Sequence, residues 1–208
     1  KRLIMKFKRL TNGILSSNTY IIGNGTEGAV IDPGTEASLI MKEIDNMSLK
    51  IKYIILTHAH IDHMLYVEEL RALTGAKVAV HEDDASALGD PWKNASSLFG
   101  LSNKFSDADI LLKDNDILKI GDLDLKIIHT PGHTPGGICI LVNNDIFTGD
   151  TLFRESIGRT DLGTGDAEKI MDSLKNKLMV LDDNIKVHPG HGTATTIGYE
   201  RANNPFLY

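Results

Sequence analysis

The stretch "THAHIDH", residues 57–63, places three histidines and an aspartate within seven residues. It directly follows "YIIL", an apolar run typical of a buried strand. Because side chains two apart on a strand point the same way, we expect His58 and His60 to lie side by side. Asp62 and His63 then fall in the first turn of a predicted helix. Two pairs of potential ligands should therefore converge on one small volume.

A metal ion explains this cluster better than a structural role does. For any single histidine, a hydrogen-bonded imidazole in or near the core is the alternative. Four titratable groups in one place, however, would repel one another or compete when charged, whereas a cation stabilises their convergence. The partial positive charge at a helix N-terminus also favours the neutral imidazole that metal binding requires.

Three further segments offer a ligand type beside glycine where an apolar run ends. His133 lies in "TPGHTPGG", Asp150 ends "DIFTGD", and His191 lies in "VHPGHG". Strand ends are where sheet enzymes tend to hold functional side chains. With residues 57–63, these segments predict one shared site.

The remaining pattern predicts an α/β protein. Several of the short apolar runs are continuous, which is typical of strands covered on both faces. The runs are "NTYIIG", "GAVID", "IKYIIL", "AKVAV", "LDLKIIHT", "GICILV", "DIFTGD" and "IKVHPG". One helical pattern covers about residues 36–47, with Leu39, Ile40, Ile44 and Met47 on one stripe. A second covers residues 62–73 and ends at Gly75, a suitable C-terminal cap, and a third begins at Asp166, a predicted N-cap. We expect a single layered domain over residues 1–208, with residues 1–4 a tag or an alternative start. The polar region 81–109 is expected to cover a sheet edge and to border a substrate entrance.

Composition argues against several classes of partner. The chain has 28 acidic and 22 basic side chains, a formal charge of −6, and no long basic run, so we expect no nucleic-acid partner. It has no apolar run long enough for a membrane span and no signal-peptide pattern, so we expect a cytoplasmic protein. The single cysteine, Cys139, is expected to be a buried, inert thiol. A small-molecule substrate is expected, and the oligomeric state stays open.

The four motifs together resemble those of the metallo-β-lactamase-fold hydrolases, from "AVIDPG" to "TTIGYERANNPF". The flanks "LFRESIGRTDL" and "TTIGYERANNPFL" are most similar to the short bacterial glyoxalase II-like proteins, which are related to hydroxyacylglutathione hydrolases. This resemblance implies a four-layer αβ/βα sandwich with the metal site at the edge of the two sheets.

The resemblance also implies a binuclear centre. Its seven ligands would form two groups that share one carboxylate: His58, His60 and His133 for one metal, Asp62, His63 and His191 for the second, and Asp150 bridging them. Asp62 and Asp150 would also be catalytic. Zinc suits this set best, although iron and manganese accept it. A hydroxide between the metals would attack a thioester such as S-lactoylglutathione.

The neighbouring residues are expected to have supporting roles. His129 and His188 should orient ligands or be structural, and His81 should be a surface or helix-start residue. Asp32, in "IDPG", should anchor a turn near the site. For Arg159, in "GRTD", we favour a structural ion pair over a substrate contact.

Other functions stay open at this point. The chief rival is a persulfide dioxygenase-like oxidoreductase with a single iron held by His58, His133 and Asp150. A lactonase, a phosphodiesterase or a metal-binding protein with a dormant site are further alternatives, because a fold does not choose the reaction. Long glyoxalase II enzymes hold glutathione with an extra C-terminal domain, and only "TATTIGYERANNPFLY" follows "PGHG" here, so glutathione dependence also stays open.

Overall fold

The computed structural model describes residues 5–207; the expectation for residues 1–4 therefore lies outside the described residues. Its strands are β1 Lys6–Leu10, β2 Thr19–Asn24, β3 Glu27–Ile31, β4 Lys50–Ile55, β5 Lys77–His81, β6 Ile110–Leu112, β7 Ile117–Ile120, β8 Leu123–His129, β9 Ile138–Val142, β10 Asp145–Gly149, β11 Leu152–Phe153, β12 Ser156–Ile157, β13 Lys186–Pro189 and β14 Thr195–Thr196. Its α-helices are α1 Ala37–Asn46, α2 Ile61–Met64, α3 Val67–Thr74, α4 Ala167–Ser173 and α5 Ile197–Asn203. Short 3₁₀ helices span Ile14–Ser16, Glu82–Ala87 and Ser96–Phe99, and a π-helical turn, Leu174–Leu178, continues α4.

Two six-stranded sheets form the centre of the fold. The first has the order β1-β2-β3-β4-β5-β6, in which β3 to β6 are parallel and β1 to β3 antiparallel. The second has the order β14-β13-β10-β9-β8-β7, in which only the β10–β13 pair is parallel. Strands β11 and β12 form a separate hairpin-like pair.

Three apolar cores separate four layers. Between the sheets, Ile22 and Ile55 of the first sheet pack in one cluster with Phe147 of the second. Neighbouring residues on the same strands point the other way, as strand geometry requires, so Ile21 packs with α1 and α3 instead. On the far side, α4 and the π-helical turn cover the second sheet around Val187. This confirms the predicted αβ/βα sandwich.

The helices follow the sequence pattern with two differences. Helix α1 buries Ile40 and Ile44 as its periodicity requires, but Leu39, which the pattern placed on the same stripe, is 36% exposed. The helix predicted over residues 62–73 is two helices, because the Tyr66 N–H donates to Pro33 O (3.0 Å) instead of continuing the helical ladder. Its predicted end is correct, since Gly75 adopts a left-handed φ of 66° after α3.

Two further expectations can be compared with the structure. The Asp166 carboxylate caps α4 by accepting from the backbone N–H groups of Glu168 (3.1 Å) and Lys169 (3.0 Å). The Cys139 thiol is fully buried in β9, and burial raises its pKa to about 12. Within residues 5–207, no helix is both long enough and apolar enough to cross a bilayer.

Phe147 provides a direct test of the core between the sheets. It is fully buried, so we expect Phe147→Ala to lower the free energy of unfolding by about 3–5 kcal/mol through lost transfer energy and the cavity left behind. Urea unfolding of the metal-loaded protein measures this. Phe206 is 50% exposed, and Phe206→Ala should change the same free energy by less than about 0.5 kcal/mol. Equal losses in the two variants would contradict the placement of this core.

Candidate metal centre

Residues 57–60 reach the site as a loop rather than as a strand, and helix α2 begins directly after them. Strand β4 ends at Ile55, so the expectation that His58 and His60 share one face of a strand is wrong. The two rings nonetheless lie edge to face, with centroids 4.8 Å apart. Backbone hydrogen bonds hold the loop in this shape: the Ile138 N–H donates to Thr57 O (2.8 Å), and the Ile61 N–H donates to Asn94 O (2.9 Å). The convergence is therefore a tertiary effect.

Six of the seven predicted ligands form two groups of three. In each group, one potential ligand atom per residue lies within 4.8 Å of the other two: His58, His60 and His133 in the first group, and Asp62, His63 and His191 in the second. All six residues are buried except His191, which is half-buried. The sequence motifs therefore meet at one place. His58 and His63 also form a third such group with Asp32, and the assignment of the ligands to two metals stays a prediction.

Asp150 lies between the two groups. Its Oδ1 atom is 3.3 Å from His63 Nε2, and its Oδ2 atom is 3.7 Å from His133 Nε2 and 3.6 Å from His191 Nε2. This approach requires glycine at position 190, where a Cβ would lie 2.1 Å from Asp150 Oδ1. The motif "PGHG" thus provides both a ligand and the space for the shared carboxylate.

Hydrogen bonds outside the centre set the orientation of the imidazole rings. Four histidines use Nδ1 on a neighbouring oxygen: His58 on Thr57 Oγ1 (3.1 Å), His63 on Asp32 Oδ2 (3.0 Å), His133 on Arg159 O (2.8 Å) and His191 on Leu15 O (3.1 Å). Since carbonyl and carboxylate oxygens only accept, the last three rings carry their proton on Nδ1. The Thr57 hydroxyl donates to Asp32, so it can accept from His58 in the same way. In the neutral rings that metal ligation requires, the Nε2 lone pairs would then point into the centre.

The donor atoms fit divalent cations. The His133 Nε2 and His60 Nδ1 atoms are 3.0 Å apart, and the His63 and His191 Nε2 atoms are 3.2 Å apart. Two nitrogen ligands of one tetrahedral zinc ion would be about 3.3 Å apart. Among the described residues, the buried His58 Nε2 and Asp150 Oδ1 atoms have no hydrogen-bond partner. Asp150 Oδ1 lies 3.3 Å from His63 Nε2, whereas a bound cation would provide the missing partner of His58 Nε2.

The electrostatics of the centre also favour the binding of cations. Burial and the neighbouring imidazoles lower the pKa of His58 well below its usual range and that of His60 to about 3, which keeps both rings neutral. Burial alone would raise the pKa of Asp62 and of Asp150, but the His63 charge outweighs it and lowers both. The same two carboxylates raise the pKa of His63 against the effect of burial. The centre therefore combines neutral donors with carboxylates that attract positive charge.

Asp84 is a functional residue that the sequence did not reveal. Its buried carboxylate accepts from the Ala59 N–H (3.0 Å), the Thr134 hydroxyl (2.8 Å) and the Gly136 N–H (2.6 Å). It therefore joins the loop of His58 and His60 to the loop of His133. Nothing in "HEDDAS" distinguishes Asp84 from its exposed neighbour Asp83, because the distinction depends on contacts 25 to 52 residues away.

The other histidines serve the fold around the site. His129 donates from Nε2 to Pro135 O (2.8 Å) and stacks on His81 at 3.8 Å between centroids. His188 donates from Nε2 to Asp145 Oδ1 (2.7 Å). His81 is 3% exposed, so the expectation of a surface residue is wrong, although its ring caps the 3₁₀ helix Glu82–Ala87 as a helix-start residue would.

The two remaining predicted neighbours make the contacts expected of them. Arg159 forms an exposed two-point ion pair with Asp161, at 2.7 and 2.8 Å, which is the structural ion pair that we favoured. Asp32 is buried and anchors the turn after β3. Its contact with His63 places it against the centre itself.

Comparison with known proteins agrees with this geometry. The family model of the metallo-beta-lactamase superfamily matches residues 12–192. The chain is similar to hydroxyacylglutathione hydrolase GloC of Haemophilus influenzae, with 37% identity over 187 residues that cover 86% of each chain. Its structure is similar to that of the BLEG-1 B3 metallo-beta-lactamase, with a TM-score of 0.92, 37% identity, and coverage of 97% of this chain and 99% of that one. It is also similar to TTHA1623 in a di-iron-bound form, with a TM-score of 0.85, 33% identity, and coverage of 96% and 100%.

Asp84 can be tested as a positioning residue. We expect Asp84→Ala to weaken metal binding by about 10- to 100-fold, because both ligand loops lose their common acceptor. Competition with a chromophoric chelator measures the affinity, and circular dichroism checks that the variant folds. The adjacent Asp83→Ala should keep the affinity of the unmodified protein. Unchanged metal affinity in a folded Asp84→Ala variant would show that the two ligand loops keep their positions without this carboxylate.

Proposed function

The chain belongs to the metallo-beta-lactamase superfamily, and from the centre described above we propose that it is a binuclear metal-dependent hydrolase of thioesters. One observation carries the proposal: two groups of three buried or half-buried donors meet at a single carboxylate, Asp150. A site for one metal would not need the second group. In a purely structural cluster, we would expect the buried His58 Nε2 atom to have a hydrogen-bond partner, and it has none.

We assign one metal to His58, His60 and His133, the second to the group of Asp62, and Asp150 to both. Zinc is our first choice, because imidazole and carboxylate donors suit it. Iron is the alternative, and similarity to TTHA1623 in its di-iron-bound form favours it. Two such cations would supply a hydroxide near neutral pH and would polarise a carbonyl oxygen.

The protein's own residues prepare this chemistry. The pKa of Asp62 and of Asp150 is already lowered in the metal-free centre by the His63 charge, and bound cations would replace that charge. The two ionised carboxylates would offset part of the charge of the cations and could accept a hydrogen bond from an attacking water. The neutral rings of His58 and His60 leave the centre with net positive charge when two cations are bound. A positive centre favours the negative charge that develops on a carbonyl oxygen under attack.

Thioesters are the proposed substrates because the chain resembles a hydroxyacylglutathione hydrolase over most of its length. The test combines metal analysis of the purified protein with hydrolysis assays on S-lactoylglutathione and on other thioesters. A β-lactam belongs in the same panel, because the protein BLEG-1 is described as a B3 metallo-beta-lactamase. We expect two metal equivalents and thioester cleavage that a chelator abolishes and added zinc restores. One iron per chain with oxygen uptake on glutathione persulfide would instead establish the oxidoreductase.

Substitution of Asp62 tests the two groups of ligands separately. Asp62→Ala removes a ligand from the second group only, so we expect the metal content to fall from two equivalents to about one and hydrolysis to fall by about 100-fold or more. Mass spectrometry of the metals and initial rates measure this. Asp122→Ala, at an exposed turn between β7 and β8, is the control and should change neither quantity. Retention of two equivalents in Asp62→Ala would show that the assignment is wrong.

A further inference from the structure

A cavity of about 340 Å³ opens beside His60. Two segments form its walls: Trp92, Lys93, Ala95 and Leu98 on one side, and Asp161, Leu162, Gly163 and Thr164 on the other. The first wall belongs to region 81–109, which the sequence predicted to border an entrance. The volume lies at the lower end of the range of about 300–1,000 Å³ that small-molecule sites occupy. The cavity therefore suits a compact group rather than a large cofactor.

Both walls are attached to segments that carry the first group of ligands. Asn94, in the first wall, accepts at its backbone oxygen from the Ile61 N–H (2.9 Å), directly after His60. Arg159, which leads into the second wall, accepts at its backbone oxygen from His133 Nδ1 (2.8 Å). A ligand in the cavity would therefore lie beside the His58, His60 and His133 half of the centre. Its distance from the reacting atoms would be set by backbone contacts.

Hydrogen bonds of the buried Asn94 side chain fix the shape of the first wall. The Asn94 side chain is fully buried, donates to Asn103 O (3.1 Å) and accepts from the Ser96 N–H (3.0 Å). The intervening Ala95 has a φ of 62°, a left-handed conformation that these contacts impose. The wall therefore presents its side chains in a fixed arrangement.

Two large apolar side chains of the cavity wall are exposed to solvent. Trp92 is 75% exposed and Leu98 is 55% exposed, although both side chains gain free energy when water is removed from them. The charged groups of the lining already have partners, since Asp161 pairs with Arg159 and Lys93 donates to Ser86 Oγ (3.1 Å). Apolar surface gathered beside a reactive centre is typical of a ligand site.

We propose that this cavity binds an apolar group of the substrate, of short-alkyl or phenyl size, next to the scissile carbonyl. The inference rests on the proposed hydrolase and narrows its substrates to thioesters that carry an apolar group on the acyl or the thiol side of the carbonyl. The apolar group could belong to the acyl chain or to the thiol, because either one can present alkyl or phenyl carbon atoms to the cavity. Two substrate series distinguish the sources.

Hydrolysis of thioesters of graded length is the first measurement. In one series the acyl group of S-acyl-N-acetylcysteamine grows from acetyl to hexanoyl, and in the other the acetyl group is constant while an alkyl thiol grows. We expect kcat/KM to rise by about threefold per methylene in the series whose variable group enters the cavity. A flat profile in both series would overturn the proposal.

Two leucines provide a matched pair for the second measurement. Leu98 and Leu73 are both 55% exposed, but only Leu98 lines the cavity. We expect Leu98→Ala to lower the kcat/KM of the preferred long substrate by about fivefold to tenfold and that of the acetyl compound little. Leu73→Ala, at the end of α3, should leave both unchanged. Equal effects of the two substitutions would overturn the assignment.

Trp92 allows binding to be measured without hydrolysis. It is the chain's single tryptophan, so the intrinsic tryptophan fluorescence reports on this wall alone. We expect S-hexyl-N-acetylcysteamine, a thioether with no carbonyl to hydrolyse, to shift the emission of the zinc-loaded protein to shorter wavelength in a saturable way, and Leu98→Ala to weaken it. No saturable shift would overturn the cavity assignment even in an active hydrolase. A saturable shift without cleavage of any thioester would retain the apolar site and reject the proposed function.

Discussion

The buried carboxylate of Asp32 is the interaction on which the centre depends. It accepts from the backbone N–H of Thr57 (2.7 Å), from the Thr57 hydroxyl (2.6 Å) and from His63 Nδ1 (3.0 Å). Through Thr57 it also orients His58. A buried carboxylate is stable only when its acceptors are used, so Asp32 and the ligand-bearing segment 57–63 require one another. Asp32 lies at a φ of 52°, and these three hydrogen bonds offset the cost of that conformation.

A second carboxylate performs the same task from another direction. Asp84 joins the loop after β4 to the loop after β8, so ligands from the two sheets are tied together without any metal. The sheets also meet directly, since the Ile138 N–H donates to Thr57 O (2.8 Å) and the Asn18 N–H donates to Gly190 O (2.7 Å). The centre thus lies at an edge where both sheets contribute backbone contacts. This rigidity is what a two-metal site needs, because small displacements of a ligand change its affinity strongly.

The reacting centre and the cavity beside it have different origins. The ligands come from strand ends and tight turns of the common fold, which many reactions can share. The cavity walls come from two connecting segments, residues 92–98 and 161–164, whose side chains are free to differ among proteins of this architecture. In the proposed hydrolase, the type of reaction would depend on the centre and the choice of substrate on these two loops. Trp92 and Leu98 are informative for this reason.

The sequence by itself determined the ligand types, their grouping into motifs and most of the central strands, because these signals are local. Continuous apolar runs predicted β2 to β5, β8 to β10 and β13, and capping residues predicted the start of α4 and the end of α3. Short strands with mixed polarity, such as β6 and β7, carry too few residues for a periodic signal. Only the tertiary structure decided that 57–60 is a loop, that Tyr66 breaks a helix by bonding to Pro33, that Asp84 rather than Asp83 is buried, and where an apolar cavity opens. Each of these depends on a partner distant in sequence, which no local pattern contains.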